Sequence, residues 1–182
     1  MKHGKFSIKL MYQKRSGTHA KVPWRRLTCH NQATPNSLFI LWIAIWKRLP
    51  TLDKLLQWNI VSASLCPMCQ VGSESMEHIF FDCQFSAQVW QMVLKLLQFA
   101  RRPVGFTDEL KWVLKSCKRG GNRHKLLRMF SAESVYSLWL NRNDQVYNKH
   151  CKSPTELFRE IQFRVASRLS DELCSYLLEL GV

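Results

Sequence analysis

Not one aspartate or glutamate occurs in the first 52 residues, which carry ten lysines and arginines. Nor is there an apolar run long enough to cross a bilayer. The longest, Ser37 to Trp46 (SLFILWIAIW), stops after ten residues at Lys47-Arg48, about half of what a helical span requires. The opening MKHGKFSIKLMYQKRSG has charge but neither an apolar stretch nor a small-residue cleavage site, so no secretory leader is expected. Adjacent aspartates are missing, and no segment alternates apolar and polar residues as a half-buried strand does. These absences exclude a membrane partner and predict an intracellular, reducing setting, nucleus or cytoplasm undecided, with a mainly α fold.

The chain of 182 residues has a formal charge of +14, unevenly spread. Residues 53–100 have Lys54 and Lys95 against Asp53, Glu74, Glu77 and Asp82, and residues 101–128 have nine cations against Asp108 and Glu109. Two basic segments thus flank a mildly acidic centre. That pattern fits a polyanion such as RNA or DNA, because neutralising phosphates releases counterions. It also fits solvated helix faces and a basic arm, and charge alone leaves both readings open.

Helical periodicity is frequent. Ser7 can cap a short helix within Gly4 to Tyr12 that breaks at Ser16-Gly17. Thr34-Pro35 opens a helix whose stripe is Leu38, Phe39, Trp42, Ile45, Trp46 and Leu49, ended by Pro50. Thr51 is placed to cap the next, with Leu52, Leu55 and Leu56. Further helices are predicted over Ser86 to Phe99 (Val89, Trp90, Val93, Leu94, Leu97) and from Thr107 (Leu110, Val113, Leu114, Cys117). Another runs through Leu126, Leu127, Phe130, Leu138 and Trp139, either continuous or interrupted near Ser131. The last starts at Ser153-Pro154-Thr155-Glu156, which has capping-box spacing, and its inner positions are Leu157, Ile161, Val165 and Leu169. The expected organisation is a basic arm with a short helix (1–22), a domain that contains a cysteine cluster (23–100), a basic linker and helix (101–123) and a C-terminal helical region (124–182). Seven tryptophans at helical spacing are expected mostly in the core. Trp24, beside Arg25 and Arg26, is the exception.

The segment LCPMCQVGSESMEHIFFDC concentrates three of the seven cysteines and one histidine. Cys66, Cys69, His78 and Cys83 form C-x2-C-x8-H-x4-C. Pro67 helps set a turn that lets the first two thiolates share an ion, and Ser75 can cap a helical turn that delivers the second pair. Three sulfurs and an imidazole complete a tetrahedral Zn²⁺ with no open position, so one structural zinc is predicted. Glu77 has the chemistry of a general base, but a closed site gives it nothing to activate. Cys29, Cys117, Cys151 and Cys174 have no second ligand pair close by, and His150-Cys151 stands alone.

With these motifs in place the chain resembles the zinc-binding domain that follows the polymerase region in reverse transcriptases of plant non-LTR retrotransposons. Gly4-Lys5-Phe6-Ser7-Ile8-Lys9 with Tyr12 resembles that family's G-x-F-S-V-K-x-x-Y opening. Trp24, Pro35 and Phe39-x-x-Trp42 resemble its W…P-K-x-x-x-F-x-W-R segment, with the aromatic spacing one residue longer. Leu49-Pro50-Thr51 with Leu55, then Cys66-Pro67-Met68-Cys69, Glu74-Ser75, His78 to Cys83 and Trp90, are similar to its core. Gln70 stands where the family often has glycine, and Asn36 where it often has lysine. Leu138-Trp139-x-x-Arg142-Asn143 resembles a W-x-x-R-N stretch that often follows.

The resemblance implies a fragment of a retroelement, or a host protein derived from one. The family's polymerase carries an aspartate pair in a Y-x-D-D turn, and neither that pair nor a nuclease acidic set can be placed here, so no catalytic residue and no small-molecule substrate are expected. Candidates for phosphate contact are Lys21, Arg25, Arg26, Lys47, Arg48, Arg101, Arg102, Lys118 and Arg119, with Trp24 beside them. The rival expectation is a scaffold that packs on a protein such as a reverse transcriptase. A large exposed Trp/Phe patch would favour the scaffold, and a continuous basic face beside Trp24 the nucleic acid. A decayed reading frame without present function is the third alternative.

Overall fold

The computed structural model describes residues 7–17 and 22–180. Among them the regular structure is helical, with no strand beyond one isolated antiparallel bridge between Leu65 and Ser73. The helices are α1 (Ile8–Ser16), α2 (Arg25–Thr28), α3 (Pro35–Ile45), α4 (Leu52–Gln57), α5 (Gln84–Leu96), α6 (Phe106–Ser116), α7 (Asn122–Asn148), α8 (Pro154–Ala166) and α9 (Asp171–Glu179). One π turn, His78–Asp82, precedes α5. No helix among the described residues is long and apolar enough to span a membrane.

The 27-residue α7, about 40 Å long at 1.5 Å per residue, is the axis. Helices α3 and α8 pack along it, and α5, α6, α9 and the π turn also contact it. Its burial continues around the helix, from Leu126, Leu127 and Phe130 to Ser134, Ser137 and Arg142, as expected of a central helix. Of the two readings at Ser131, the continuous helix is the one found. The Ser131 hydroxyl donates to the Leu127 carbonyl at 2.6 Å, so the polar group is satisfied without opening the helix. One continuous cluster of buried apolar side chains runs from Leu27 to Leu177.

The cap signals of the sequence have concrete partners. Ser7 accepts from the Leu10 N–H, Thr34 from Ser37, and Ser153 with Glu156 closes a full capping box. Thr51 behaves differently: its hydroxyl bonds Asp53, and the Leu52 N–H that starts α4 donates instead to Glu74 at 2.7 Å. Glu133 of α7 likewise accepts from the Thr34 N–H at 2.7 Å and from the Ser37 hydroxyl at 2.6 Å, which fastens the start of α3. Both carboxylates are fully buried, so acids scarce in the sequence are used internally, as anions at helix N-termini. The outer surface is correspondingly more basic than the formal count.

Helix α3 corrects the predicted stripe. Its buried positions are Ser37, Leu41 and Ala44, whereas Phe39, Trp42 and Trp46 are exposed. A helix reading PNSLFILWIAI is apolar nearly all round, so periodicity could not choose its inner face. Small side chains allow the close approach to α7. The core expectation for tryptophan holds for Trp90 and Trp139, but Trp42, Trp46 and Trp58 are exposed. Helices α2 and α9 were not anticipated, and the start of the first predicted helix, Gly4 to Phe6, lies outside the described residues.

Candidate metal centre

Residues 64–74 fold back as a tight hairpin. The Cys66 N–H donates to the Gly72 carbonyl at 2.7 Å, the Gln70 N–H to the Cys66 carbonyl at 3.0 Å, and the Glu74 N–H to the Ser64 carbonyl at 2.6 Å. Gln70 sits at φ +59°, a conformation costing an L-residue about 1–2 kcal/mol relative to glycine. That explains why glycine is at home there. Gln70→Gly is therefore predicted to raise stability by about 1 kcal/mol, seen as a rise in Tm of roughly 2–4 °C. A fall in Tm would instead show that the Gln70 side-chain amide, bonded to the Pro67 carbonyl at 3.0 Å, outweighs the strain. Gly72 has a different reason: a Cβ there would stand 3.0 Å from Cε1 of His78, so the bare backbone makes room for the imidazole.

The second ligand pair arrives on the π turn. Ser75 accepts from the His78 N–H at 3.2 Å, and the Cys83 N–H donates to the His78 carbonyl at 2.6 Å. Residues five apart on an α-helix point roughly 140° away from each other at 3.6 residues per turn. Widening the turn to an i→i+5 bond brings His78 and Cys83 to one side. The turn is anchored by three consecutive buried residues, Ile79, Phe80 and Phe81. Phe80 meets Phe106 of α6 at 5.0 Å between ring centroids, and Phe81 meets Trp90 of α5 at 5.0 Å. The Ser86 hydroxyl donates to the Ile79 carbonyl at 2.5 Å.

The ligand atoms of Cys66, Cys69, His78 and Cys83 consequently all lie within 4.8 Å of one another. Cys66 and Cys83 Sγ are 4.0 Å apart, and Cys69 Sγ is 3.2 Å from His78 Nε2. A zinc ion about 2.3 Å from each sulfur requires sulfur–sulfur edges of roughly 3.8 Å in a tetrahedron, so both the donor set and the spacing fit zinc. Among the described residues no disulfide forms, and no other group of three His, Cys, Asp or Glu residues gathers in this way.

The backbone favours thiolates here. Cys83 accepts a hydrogen bond from the Cys66 thiol; burial opposes its ionisation, but the N–H groups of Ser86 and Phe85 at the start of α5 also point to its sulfur, and its pKa falls to about 5. Cys66, holding the shared proton against Cys83 and buried besides, is pushed up despite N–H donors from Cys69 and Met68. A cation between them removes the need for that proton.

Two acids beside the site do structural tasks that the motif alone did not disclose. Glu74 receives Arg142 of α7 in a bidentate pair, Nε to Oε2 at 2.9 Å and Nη2 to Oε1 at 2.7 Å, with both side chains buried. The E-S and W-x-x-R-N stretches, far apart in sequence, are thus two halves of one contact. Glu77, the residue with the chemistry of a base, instead accepts from the Thr107 N–H at 2.9 Å, the Thr107 hydroxyl and Lys47 at 3.0 Å. Burial raises its pKa, but these donors outweigh burial and hold it below the usual carboxylate range. The remaining cysteines stay apart from the ligand group; Cys151 is exposed, its sulfur 3.4 Å from the Asn141 amide nitrogen.

The predicted phosphate contacts separate into groups. Arg25, Arg26 and Lys118 line a cleft of about 760 Å³ between α2 and α6, joined there by His30, Lys111 and Lys115, which the charge count had not singled out. None of the cleft's lining residues is acidic. Lys47 is paired with Glu77, and the Arg48 guanidinium lies 5.8 Å from the centre of the Trp46 ring. Arg101 faces inward, bonded to buried Glu109 at 2.8 Å and 4.0 Å from the centre of the Trp112 ring. Arg102 is exposed beside α5, and Arg119 is exposed after α6. Trp24 is half-buried, edge-on to Trp46 at 5.9 Å. Lys21 lies outside the described residues.

Comparison with known proteins agrees with the ligand geometry. Residues 6–90, a little under half of the chain, match the family described as zinc-binding in reverse transcriptase. No curated protein and no solved structure matches. The match takes in all four candidate ligands, the hairpin, the π turn and Trp90, the residues that build the centre. The motif resemblance and the match over residues 6–90 to the family described as zinc-binding in reverse transcriptase thus fall on the same part of the chain.

Proposed function

We propose that this protein is a non-catalytic module in which one structural zinc, held by Cys66, Cys69, His78 and Cys83, fixes a basic surface that contacts RNA or DNA backbone. The donor set supports a structural ion: four protein ligands leave no position for a substrate or an activated water. When bound, the metal supplies folding energy and neutralises the buried thiolates. Glu77 supports the same reading, because its oxygens already cap α6 and hold Lys47.

The observation that carries the nucleic-acid part is the cleft between α2 and α6. It assembles Arg25, Arg26, Lys111, Lys115 and Lys118 with no acid among its lining residues; Asp108 pairs with Lys111 from outside at 2.8 Å. Such a surface gives affinity for phosphates without reading sequence. Affinity is expected to fall steeply with salt. For a single strand each phosphate that the protein neutralises adds about 0.7 to the steepness of log K against log salt. Replacing Arg25, Arg26 and Lys115 by alanine is therefore predicted to flatten the slope by about 2. Equal slopes for the wild type and the triple variant, measured by fluorescence anisotropy, would show that the cleft holds no phosphates.

The scaffold reading has its own observation in the exposed aromatics of α3. A protein partner there predicts binding that is insensitive to the cleft variants and only weakly dependent on salt.

A further inference from the structure

Helix α3 turns its large aromatics away from the core. Phe39 is 57% exposed, Trp42 39% and Trp46 49%, although the same helix buries Ser37 and Ala44. The spacing i, i+3, i+7 puts the three on one helical row about 10 Å long. Phe39 and Trp42 lie 6.1 Å apart with planes only 29° from parallel, and Trp24 continues the row edge-on from Trp46 at 5.9 Å. Exposed aromatics gathered on one face, unlike apolar residues scattered singly, mark an interaction surface.

Charge decides which partner. The row belongs to the acid-free first 52 residues. Two acids bond its flanks: Glu133 is buried at the N-terminus of α3, and Glu77, partly exposed, is engaged by Lys47 and Thr107. Arg48 lies against Trp46. Trp24, at the other end of the contact with Trp46, immediately precedes Arg25 and Arg26 of the basic cleft. Aromatic faces and cations therefore form one track: rings in a row, with positive charge at the end where the row meets α2. A duplex hides its base faces and offers only its phosphates, whereas a single strand offers both, and stacking tolerates any sequence because every base has a π face.

We infer that Phe39, Trp42 and Trp46, continued by Trp24, are a stacking platform for the bases of a single-stranded nucleic acid whose phosphates follow Arg48, Arg25 and Arg26. This rests on the phosphate-binding reading of the cleft and narrows it from polyanion to single strand.

The test compares the full-length, zinc-loaded chain with Phe39→Ala/Trp42→Ala on three fluorescent probes of equal length: a DNA or RNA single strand, an abasic strand with the same phosphates, and a duplex. The substituted side chains are exposed, and circular dichroism and melting verify that the variant is folded. Wild type is expected to bind the single strand about tenfold or more tighter than the abasic strand, with quenching of tryptophan fluorescence. The double variant is expected to lose that margin while its abasic and duplex affinities and its salt slope stay unchanged. Equal wild-type affinity for single and abasic strands, or a double variant that keeps the margin, overturns the platform. Failure of the underlying reading looks different: no salt-dependent binding to any probe, or a slope that the cleft variants leave unchanged. A wild-type dimer that the double variant converts to a monomer, with probe binding unaltered, also overturns it and assigns the row to a second copy of the chain.

Discussion

Chelating the metal, or replacing Cys83 by serine, is expected to lower stability by about 5 kcal/mol or more, a fall in Tm of roughly 10–20 °C for a chain of this size. The effect is large because Cys83 has two positions at once. Its sulfur belongs to the four-ligand group, and its backbone is both the end of the π turn and the N-cap of α5. Without a cation the ligand group holds sulfurs 4.0 Å apart in a fully buried setting, able to share one proton but not to stay ionised together. Relaxing that strain moves the turn carrying Ile79, Phe80 and Phe81, whose rings pack on α5 and α6. Helicity and melting temperature should therefore fall together, in contrast to a peripheral metal whose loss disturbs only its own loop. Thermal denaturation with and without chelator, followed by far-ultraviolet circular dichroism, checks this. An unchanged melt in both chelator and the serine variant would show that the four residues are an ordinary buried cluster.

Arg142→Met is the second large effect, expected to cost about 3–5 kcal/mol. The substitution leaves the Glu74 carboxylate fully buried with the Leu52 N–H and without its cation. An unpaired buried charge is far less tolerable than no charge, so Glu74→Gln/Arg142→Met should recover a substantial part of the loss. Urea denaturation of the wild type, both single variants and the double variant gives the coupling directly. Additive losses would mean that the two side chains do not depend on each other. The pair matters beyond its own energy because it connects the closing residue of the metal hairpin to the C-terminal third of α7. It also completes the N-terminus of α4 through the same carboxylate, so one substitution should loosen three elements.

The clustering of Cys66, Cys69, His78 and Cys83 was legible because such a cluster is encoded in short-range spacing: a C-x2-C turn and a second pair within a few residues leave few arrangements. Helices with one clear apolar stripe, α5 and α8, were legible for a similar reason, and their predicted inner residues Val89, Trp90, Val93, Leu157, Ile161 and Val165 are buried. α3 was not, since a helix apolar on every side gives no periodic signal, and the choice fell to which side chains were small enough to approach α7. Glu74, Glu77, Glu133 and Arg142 were invisible as structural residues because their partners are tens of residues away. The one hint was scarcity: with thirteen acids against 27 lysines and arginines, each carboxylate in an apolar stretch was worth asking about. Glu133, within the apolar run of α7, was the clearest case.

X-ray absorption at the zinc edge on purified protein decides most directly whether the four residues form a closed zinc site. A closed site gives one zinc per chain surrounded by three sulfurs at about 2.3 Å and one nitrogen at about 2.0 Å, with no coordinated oxygen. A coordinated oxygen would mean an open site and return Glu77 to consideration as a base, and protein without stoichiometric zinc would contradict the structural ion outright.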